Sequence, residues 1–185
     1  TKVSAESEHS TAIGYRASAT KKWSTAVGHY AKATGEERSA FGRYAKASGE
    51  QSIAVGYAEA SATGSAALGA YAEANGERST ALGRSAVADG KSSVALGDKA
   101  KAQAENSVAI GTNSSATEAD TVSIGNSTTQ RRLVNLAAGK LATDAVNFGQ
   151  LSSLGDKIAS TLGGDFKFEN GTLTLMVPKK EVTPE

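Results

Sequence analysis

Ser93-Val94-Ala95-Leu96-Gly97 is followed fourteen residues later by Ser107-Val108-Ala109-Ile110-Gly111, a second copy of the five-residue unit Ser-x-Ala-aliphatic-Gly. The unit occurs nine times, with departures at residues 38–42 (RSAFG) and 121–125 (TVSIG). Its glycines are fourteen residues apart except for one interval of thirteen, between Gly56 and Gly69. A large apolar residue precedes each glycine and defines the aliphatic slot: Ile13, Val27, Phe41, Val55, Leu68, Leu82, Leu96, Ile110 and Ile124. A fixed period with a fixed apolar position is typical of a repeat protein built from stacked coils.

A second motif, Ala-x-Ala, follows these glycines at residues 31–33, 45–47, 58–60, 72–74, 86–88 and 100–102. Both motifs alternate in character, which favours short strands over helices. Glycines at positions 35, 49, 64, 76 and 90 indicate tight turns between them. One coil cannot bury its own apolar side chain, so the coils have to stack, each adding about 4.8 Å along the axis. The sequence therefore predicts an all-β solenoid of fourteen-residue coils, with the aliphatic slot as its buried core.

The composition excludes several classes of protein. Ala, Ser and Gly supply 34, 22 and 20 of the 185 residues, against four Phe, one Trp and one Met, so an ordinary globular enzyme core is not expected. The net charge of +1, with both signs interspersed, argues against nucleic acid as a partner. Cysteine is absent, which removes disulfides and thiolate metal sites.

The five-residue units, including Ser52-Ile53-Ala54-Val55-Gly56, resemble the head repeats of trimeric autotransporter adhesins. Residues 130–139 (QRRLVNLAAG), 142–147 (ATDAVN) and Gln150-Leu151 resemble the neck connector of the same family. The resemblance implies a left-handed parallel β-roll in each chain, a homotrimer of three chains side by side, and a neck that narrows the head onto a coiled-coil stalk.

These observations divide the chain into five segments. We expect a β-roll head at residues 1–127, a neck connector at 128–151, a short coiled coil at 152–162, a β-hairpin connector at 163–177 and a frayed tail at 178–185. Leu151, Leu154 and Ile158 have the spacing of a coiled-coil seam. Gly163-Gly164 is expected to end the helix, and Asn170-Gly171 predicts the turn of the hairpin.

Four tyrosines share one position of the repeat, directly before the Ala-x-Ala motif, and are the candidate ligand-binding residues: Tyr30, Tyr44, Tyr57 and Tyr71. Stacking of the coils would place them on one edge, where an aromatic strip suits an extended peptide or a sugar. The alternative is that the rings only stack on each other and cover the turn. Charged residues beside them predict an outward column on a solvated strand: Lys32, Lys46, Glu59, Glu73 and Lys101.

The neck supplies four candidates for contacts between chains: Arg131, Arg132, Asp144 and Asn147. Because the resemblance implies contacts between chains there, we expect the two arginines to pair with Asp144 across the trimer. Asn147 lies four residues before Leu151 and is expected at a d position on the three-fold axis, where three amides would be able to hold an anion such as chloride. Displacement of Asn147 from the axis by the neck geometry is the alternative.

The sequence holds no converging set of catalytic groups. Its two histidines, His9 and His29, fall at different repeat positions and are interpreted as solvated surface residues. The glycines recur outside any strand-to-helix context, which excludes a phosphate-binding loop. We therefore expect no enzymatic activity, no cofactor and no metal site.

The leading hypothesis for function is non-enzymatic adhesion to host extracellular matrix or cell-surface proteins. The resemblance implies a head on a bacterial cell surface, anchored in the outer membrane through a C-terminal domain that this chain does not contain. We expect the chain to meet a membrane only through that anchor, because no long apolar segment occurs in it and no apolar leader follows Thr1. The alternative function is a structural spacer or a self-association module that clumps neighbouring cells.

Overall fold

The structure, a computed structural model of the chain, describes residues 3–162 and 166–176. The chain divides into two compact units, Thr1–Arg131 and Arg132–Glu185. The expected helix stop at Gly163-Gly164 and the expected tail from residue 178 lie outside the described residues.

The first unit is a solenoid of eighteen short parallel strands in two sheets of nine. The alanine sheet takes one two-residue strand from each coil: β1 Ser4–Ala5, β3 Ser18–Ala19, β5 Lys32–Ala33, β7 Lys46–Ala47, β9 Glu59–Ala60, β11 Glu73–Ala74, β13 Val87–Ala88, β15 Lys101–Ala102 and β17 Ser115–Ala116. The aliphatic sheet takes the strands of the five-residue units: β2 Thr11–Ile13, β4 Thr25–Val27, β6 Ser39–Phe41, β8 Ile53–Val55, β10 Ala66–Leu68, β12 Thr80–Leu82, β14 Val94–Leu96, β16 Val108–Ile110 and β18 Val122–Ser123.

Equivalent residues of successive coils pair directly, so that Ala67, Ala81 and Ala95 form one continuous column. The thirteen-residue coil keeps this register, because Ile53 pairs with Ala66. The residue that this coil lacks is the one after the glycine, since Tyr57 follows Gly56 directly. The prediction of an all-β solenoid with fourteen-residue coils is confirmed.

Alanine and serine fill the interior of the solenoid. The alanines of both motifs, Ala81 and Ala88 among them, are fully buried from one coil to the next. Ser24 and Ser107 are also buried, and each hydroxyl donates to the carbonyl three residues earlier, at 2.6 and 2.7 Å. Two sheets that approach so closely leave no room for a larger side chain between them.

Within a single chain the aliphatic slot does not form the core of the coil, unlike the sequence-based expectation, and its burial between chains of the assembled head stays a prediction. In each three-residue strand the middle alanine faces inward and its two neighbours face outward, as strand alternation requires. Leu82 and Leu96 are 42% and 40% exposed, whereas Ala81 and Ala95 are completely buried. A single chain therefore encloses a core of methyl groups and leaves its larger aliphatic side chains outside.

The glycines of the repeat do two different jobs. Gly83, at the end of its five-residue unit, has a φ of +138°, and a Cβ there would lie 2.4 Å from the carbonyl oxygen of Gly97 in the next coil. Gly76 and Gly90 lie in the expected tight turns, each closed by a hydrogen bond from the amide three residues later, but neither has a positive φ. They are glycines because of close approach, since a Cβ on Gly90 would lie 1.9 Å from the carbonyl oxygen of Ala104.

The second unit contains one helix and one hairpin. Helix α1, Phe148–Leu162, begins four residues before the expected coiled-coil segment. Strands β19 Phe166–Glu169 and β20 Thr172–Leu175 are antiparallel and joined by Asn170-Gly171, both with positive φ, as the hairpin prediction requires. The ring of Phe168 lies where a side chain on Gly155 would have been, so this glycine lets the hairpin pack on the helix.

Candidate functional site

The outer face of the aliphatic sheet carries a continuous column of exposed apolar side chains. Two columns run side by side along nine coils. One is the aliphatic slot, and the other is the first residue of each strand, which is apolar at Ile53, Ala66, Val94, Val108 and Val122 and polar at Thr11, Thr25, Ser39 and Thr80. Val122 is 66% exposed and Ile110 is 40% exposed. A contiguous apolar face of this length is typical of an interaction surface. We call it the aliphatic face.

The tyrosines form one connected strip along the first turn of successive coils. The ring centroids of Tyr30 and Tyr44 lie 5.2 Å apart and nearly parallel, and those of Tyr44 and Tyr57 lie 5.3 Å apart. Tyr57 and Tyr71 follow at 4.8 Å. Hydrogen bonds between the turns hold this spacing, because the Tyr44 amide donates to the carbonyl of His29 at 2.9 Å.

The strip begins one coil earlier than the sequence suggested. Tyr15 lies 5.5 Å from Tyr30, and the ring of His29 stacks on Tyr15 at 5.2 Å. Both Tyr15 and His29 directly follow a glycine of the repeat. The sequence did not predict them because the predicted tyrosines share a different repeat position, the one directly before Ala-x-Ala. The complete tyrosine strip therefore consists of Tyr15, His29, Tyr30, Tyr44, Tyr57 and Tyr71.

The rings pack on each other and still remain open to solvent. Tyr71 is 61% exposed and Tyr57 is 44% exposed. A groove of about 260 Å³ runs between the tyrosines and the adjacent charged column of the alanine sheet, where Lys46 Nζ and Glu59 Oε1 form an ion pair at 2.5 Å. The stacking expected from the alternative interpretation is present, and it leaves an accessible aromatic surface.

Two arginines lie against the strip. The Arg16 guanidinium carbon is 5.3 Å from the centre of the Tyr30 ring, and Nη1 donates a hydrogen bond of 2.8 Å to the Tyr30 hydroxyl. The Arg43 guanidinium carbon lies 4.9 Å from the centre of the Tyr44 ring. Such cation–π contacts hold a flexible arginine in one orientation.

Arg131 closes the C-terminal end of the solenoid. Its Nη1 donates to the Ile124 carbonyl at 2.7 Å and to the Ser114 hydroxyl at 3.2 Å, and its Nη2 donates to the Thr112 carbonyl at 2.6 Å. These carbonyls belong to the last coils, so the side chain acts as a cap within its own chain. Arg132 is exposed, and pairing of the arginines with Asp144 between chains stays a prediction.

Asp144 stabilises a turn of the neck. Its Oδ2 accepts hydrogen bonds from the backbone N–H groups of Lys140 and Leu141 at 2.9 and 3.0 Å. These two donors favour the charged form and lower the pKa of Asp144 below its ordinary value of 3.8. The local role of the carboxylate is therefore to hold the turn that precedes α1.

Asn147 is the N-cap of helix α1, and its expected d position on the three-fold axis stays a prediction. Its Oδ1 accepts from the Gln150 amide at 3.0 Å, while Gln150 Oε1 accepts from the Asn147 amide at 3.3 Å, a reciprocal capping box. Its Nδ2 donates to the Leu136 carbonyl at 3.0 Å. The side-chain amide is thus committed to bonds within its own chain, because the helix starts immediately after it.

The described residues contain no cluster of His, Cys, Asp and Glu able to hold a metal ion. His9 lies beside Trp23, with parallel rings 6.4 Å apart, and His29 lies among the tyrosines. Neither histidine is placed with a nucleophile or a carboxylate in the way that acid–base catalysis requires. The chemistry that the first unit offers is that of surfaces: an aliphatic face, an aromatic strip and flanking charges.

Two known protein families match the chain. The family described as YadA head domain repeat (2 copies) matches residues 5–31, 19–37, 39–58, 60–86, 74–100, 88–114 and 102–128. The family described as coiled stalk of trimeric autotransporter adhesin matches residues 132–174. Together these matches include most of the chain.

Two individual proteins are also similar. The crystal structure of the collagen-binding domain of the Yersinia adhesin YadA superposes with a TM-score of 0.77 at 38% identity, covering 82% of this chain and 86% of that one. Autotransporter adhesin BadA of Bartonella henselae is 52% identical over 46 residues, which are 25% of this chain and 2% of that relative. The chain therefore matches only a small part of the length of BadA.

Proposed function

We propose that this chain, which belongs to the family of trimeric autotransporter adhesins, is the ligand-binding head of a homotrimeric surface adhesin that attaches a bacterial cell to extracellular matrix. The observation that carries the proposal is the tyrosine strip. Its rings are ordered by stacking on each other, and they remain exposed to solvent after packing within one chain. The family and the fold point to a non-enzymatic role.

The aliphatic face supports the homotrimer. Three copies of this face, turned towards a common axis, would remove the slot residues from water and provide the bulky core that a single chain lacks. The trimer would then carry three tyrosine strips on one rigid body. Three weak contacts made together bind far more tightly than one, and this avidity is the proposed basis of attachment.

The spacing of the strip supports an extended matrix protein as the ligand. The YadA domain that the head resembles is described as collagen-binding. A polyproline II chain repeats every three residues, about 9.3 Å, and two coils of a solenoid advance about 9.6 Å. Every second tyrosine of the strip would therefore meet an equivalent position of such a chain. We propose a collagen-like ligand on this ground.

The proposed location is the outer surface of a Gram-negative cell, with anchoring through a separate segment. None of the helices in the described part of the chain has the length and apolar character needed to cross a bilayer. We propose that the three chains converge at the neck candidates Arg131, Arg132, Asp144 and Asn147. The hydrogen bonds described above hold Arg131, Asp144 and Asn147 in place within their own chain.

The experiment that tests this function compares binding of the purified trimeric head to immobilised collagen and to a panel of other matrix proteins. The double variant Tyr57→Ser/Tyr71→Ser is expected to lose most of the binding. Lys99→Ser is the matched control, because Lys99 occupies the same turn position outside the aromatic strip. Equal binding by both variants would contradict the proposed role of the strip, and clumping of cells without matrix binding would favour the self-association alternative.

A further inference from the structure

Three cations lie beside the N-terminal part of the tyrosine strip. Arg16 and Arg43 lie on its rings, and Lys32 lies on the neighbouring strand. Among the described residues, none of these three cations has a carboxylate within 4.0 Å. Towards the other end of the same edge, Arg84 is paired with Asp98 at 2.9 Å.

The two arginines are held in place without being neutralised. Arg16 uses one N–H group for the Tyr30 hydroxyl and keeps its other donors available. Arg43 is fixed by its contact with the ring of Tyr44. A planar guanidinium that is already oriented by a ring binds an oxyanion through two parallel hydrogen bonds at little further entropic cost.

The rings beside these cations are accessible to a ligand. Tyr15 is 42% exposed and Tyr44 is 38% exposed, and they lie in adjoining parts of the same strip. A phenol ring packs its face against the C–H groups of a sugar and offers its hydroxyl for hydrogen bonding. Partly exposed phenol rings and guanidinium groups therefore lie side by side over the first coils.

We propose that this end of the strip, Tyr15, Arg16, Lys32, Arg43 and Tyr44, binds a linear acidic polysaccharide that carries sulfate or carboxylate groups. The anionic groups bind the two guanidinium groups and Lys32, and the sugar rings pack on the tyrosines. This ligand is additional to the proposed matrix protein, and the inference rests on the proposed function only in requiring that the strip stays exposed in the assembled head.

Two other anionic partners fit the surface less well. An acidic peptide that adds a strand needs a free sheet edge, whereas the backbone of these turns is already bonded from coil to coil, as in the 2.8 Å bond from the Tyr30 amide to the Tyr15 carbonyl. Duplex nucleic acid is bound through roughly six to ten phosphate contacts, and each chain offers three free cations here.

The test measures binding of the trimeric head to heparin, which is sulfated, and to hyaluronan, which carries carboxylates only, with dextran and poly-L-glutamate as neutral and peptide controls. Arg16→Gln/Arg43→Gln is compared with Arg84→Gln, whose arginine is already paired with Asp98. We expect binding of one or both acidic polysaccharides, weakened about tenfold or more in the double variant and unchanged in Arg84→Gln. The slope of log affinity against log salt should fall by about one for each cation removed.

Three results would overturn the inference: no binding of either acidic polysaccharide, equal losses in the double variant and in Arg84→Gln, or equally strong binding of poly-L-glutamate. Circular dichroism and the sedimentation mass of each variant show whether it is folded and trimeric. Collagen binding by Tyr57→Ser/Tyr71→Ser is a separate readout at the other end of the strip. Failure of the polysaccharide site is therefore distinguishable from failure of the proposed matrix-binding function.

Discussion

The space available to the Cβ atom determines which residue type occupies each position of the solenoid. Where the two sheets face each other only Ala and Ser are found, and where backbones of successive coils meet, glycine is common, as at Gly83. Arg38 is an exception at the position of the inner serine, and burial lowers the pKa of its guanidinium against the opposing effect of Glu50 and Glu36. Its side chain runs over Gly35, which has no Cβ to obstruct it.

The alanine core makes a direct prediction. Ala88 is fully buried and its strand neighbour Val87 faces outward. Ala88→Leu is expected to destabilise the head by about 1–3 kcal/mol or more, because the sheets have to separate to admit the longer side chain. Val87→Leu is the control and should change the melting temperature little. Similar melting temperatures for the two variants would contradict the assignment of the core.

The N-cap at Asn147 gives a second prediction. Asn147→Leu should destabilise the second unit by about 0.5–2 kcal/mol, because the Gln150 amide loses its acceptor and the Leu136 carbonyl loses its donor. Asn147→Asp keeps the cap and loses only the bond to Leu136, so it should fall between the wild type and the leucine variant. A rise in melting temperature with Asn147→Leu would instead restore the axial d position expected from the sequence.

At the scale of elements, each turn and cap is a local hydrogen-bonded structure. The neck turn depends on Asp144, whose pKa is lowered by two backbone donors. A depressed folded-state pKa means that the carboxylate contributes stability above its unfolded value near 3.8, and that this contribution is lost as the pH falls through the lower folded value.

Acidification is therefore expected to loosen the turn before α1. Hydrogen exchange of the neck amides between pH 5 and pH 2 should show a transition in the wild type that Asp144→Asn lacks, because the amide oxygen still accepts a hydrogen bond but does not titrate. Identical pH profiles for the two proteins would show that the carboxylate does not hold the turn.

The elements that could be predicted from the sequence are those with a local signal. The fourteen-residue period predicted the coils, and Asn170-Gly171 predicted the turn of the hairpin. The orientation of the aliphatic slot could not be predicted. Alternation in Ser-x-Ala-aliphatic-Gly shows that the two faces of the strand differ, but it does not show which face points to the inside of the coil. The role of Arg131 depends on backbone carbonyls distant in sequence, for which a single sequence carries no signal. The N-cap role of Asn147 had a local signal, because Gln150 follows it at capping-box spacing, and only its bond to the Leu136 carbonyl could not be predicted.

At the scale of the whole molecule, the exposed aliphatic face changes the expected effect of a charge in the slot. If the slot were the core of each coil, as expected from the sequence, Val55→Asp or Leu82→Asp would abolish folding. Since Leu82 is 42% exposed in one chain, the fold of the chain is expected to survive and assembly to fail, because three carboxylates would be buried without partners.

Sedimentation tests this expectation. Leu82→Asp should weaken trimer formation by about 100-fold or more, while Val87→Asp, on the outer side of the other sheet, should leave the trimer intact. The circular dichroism spectrum of both variants should retain the strand signal of the wild type. An unfolded Leu82→Asp chain, or a stable trimer, would each count against an assembly face at this position.

The central claim is that the aliphatic face lies between chains and the alanine sheet lies outside. Because the chain has no cysteine, single cysteines introduced as Leu96→Cys and Lys101→Cys report on the two faces of one coil without background. The direct measurement is the rate of maleimide labelling of each in the native trimer. We predict that Lys101→Cys reacts rapidly and Leu96→Cys is protected until the trimer is dissociated. Equally rapid labelling of both cysteines in the intact trimer would contradict the account.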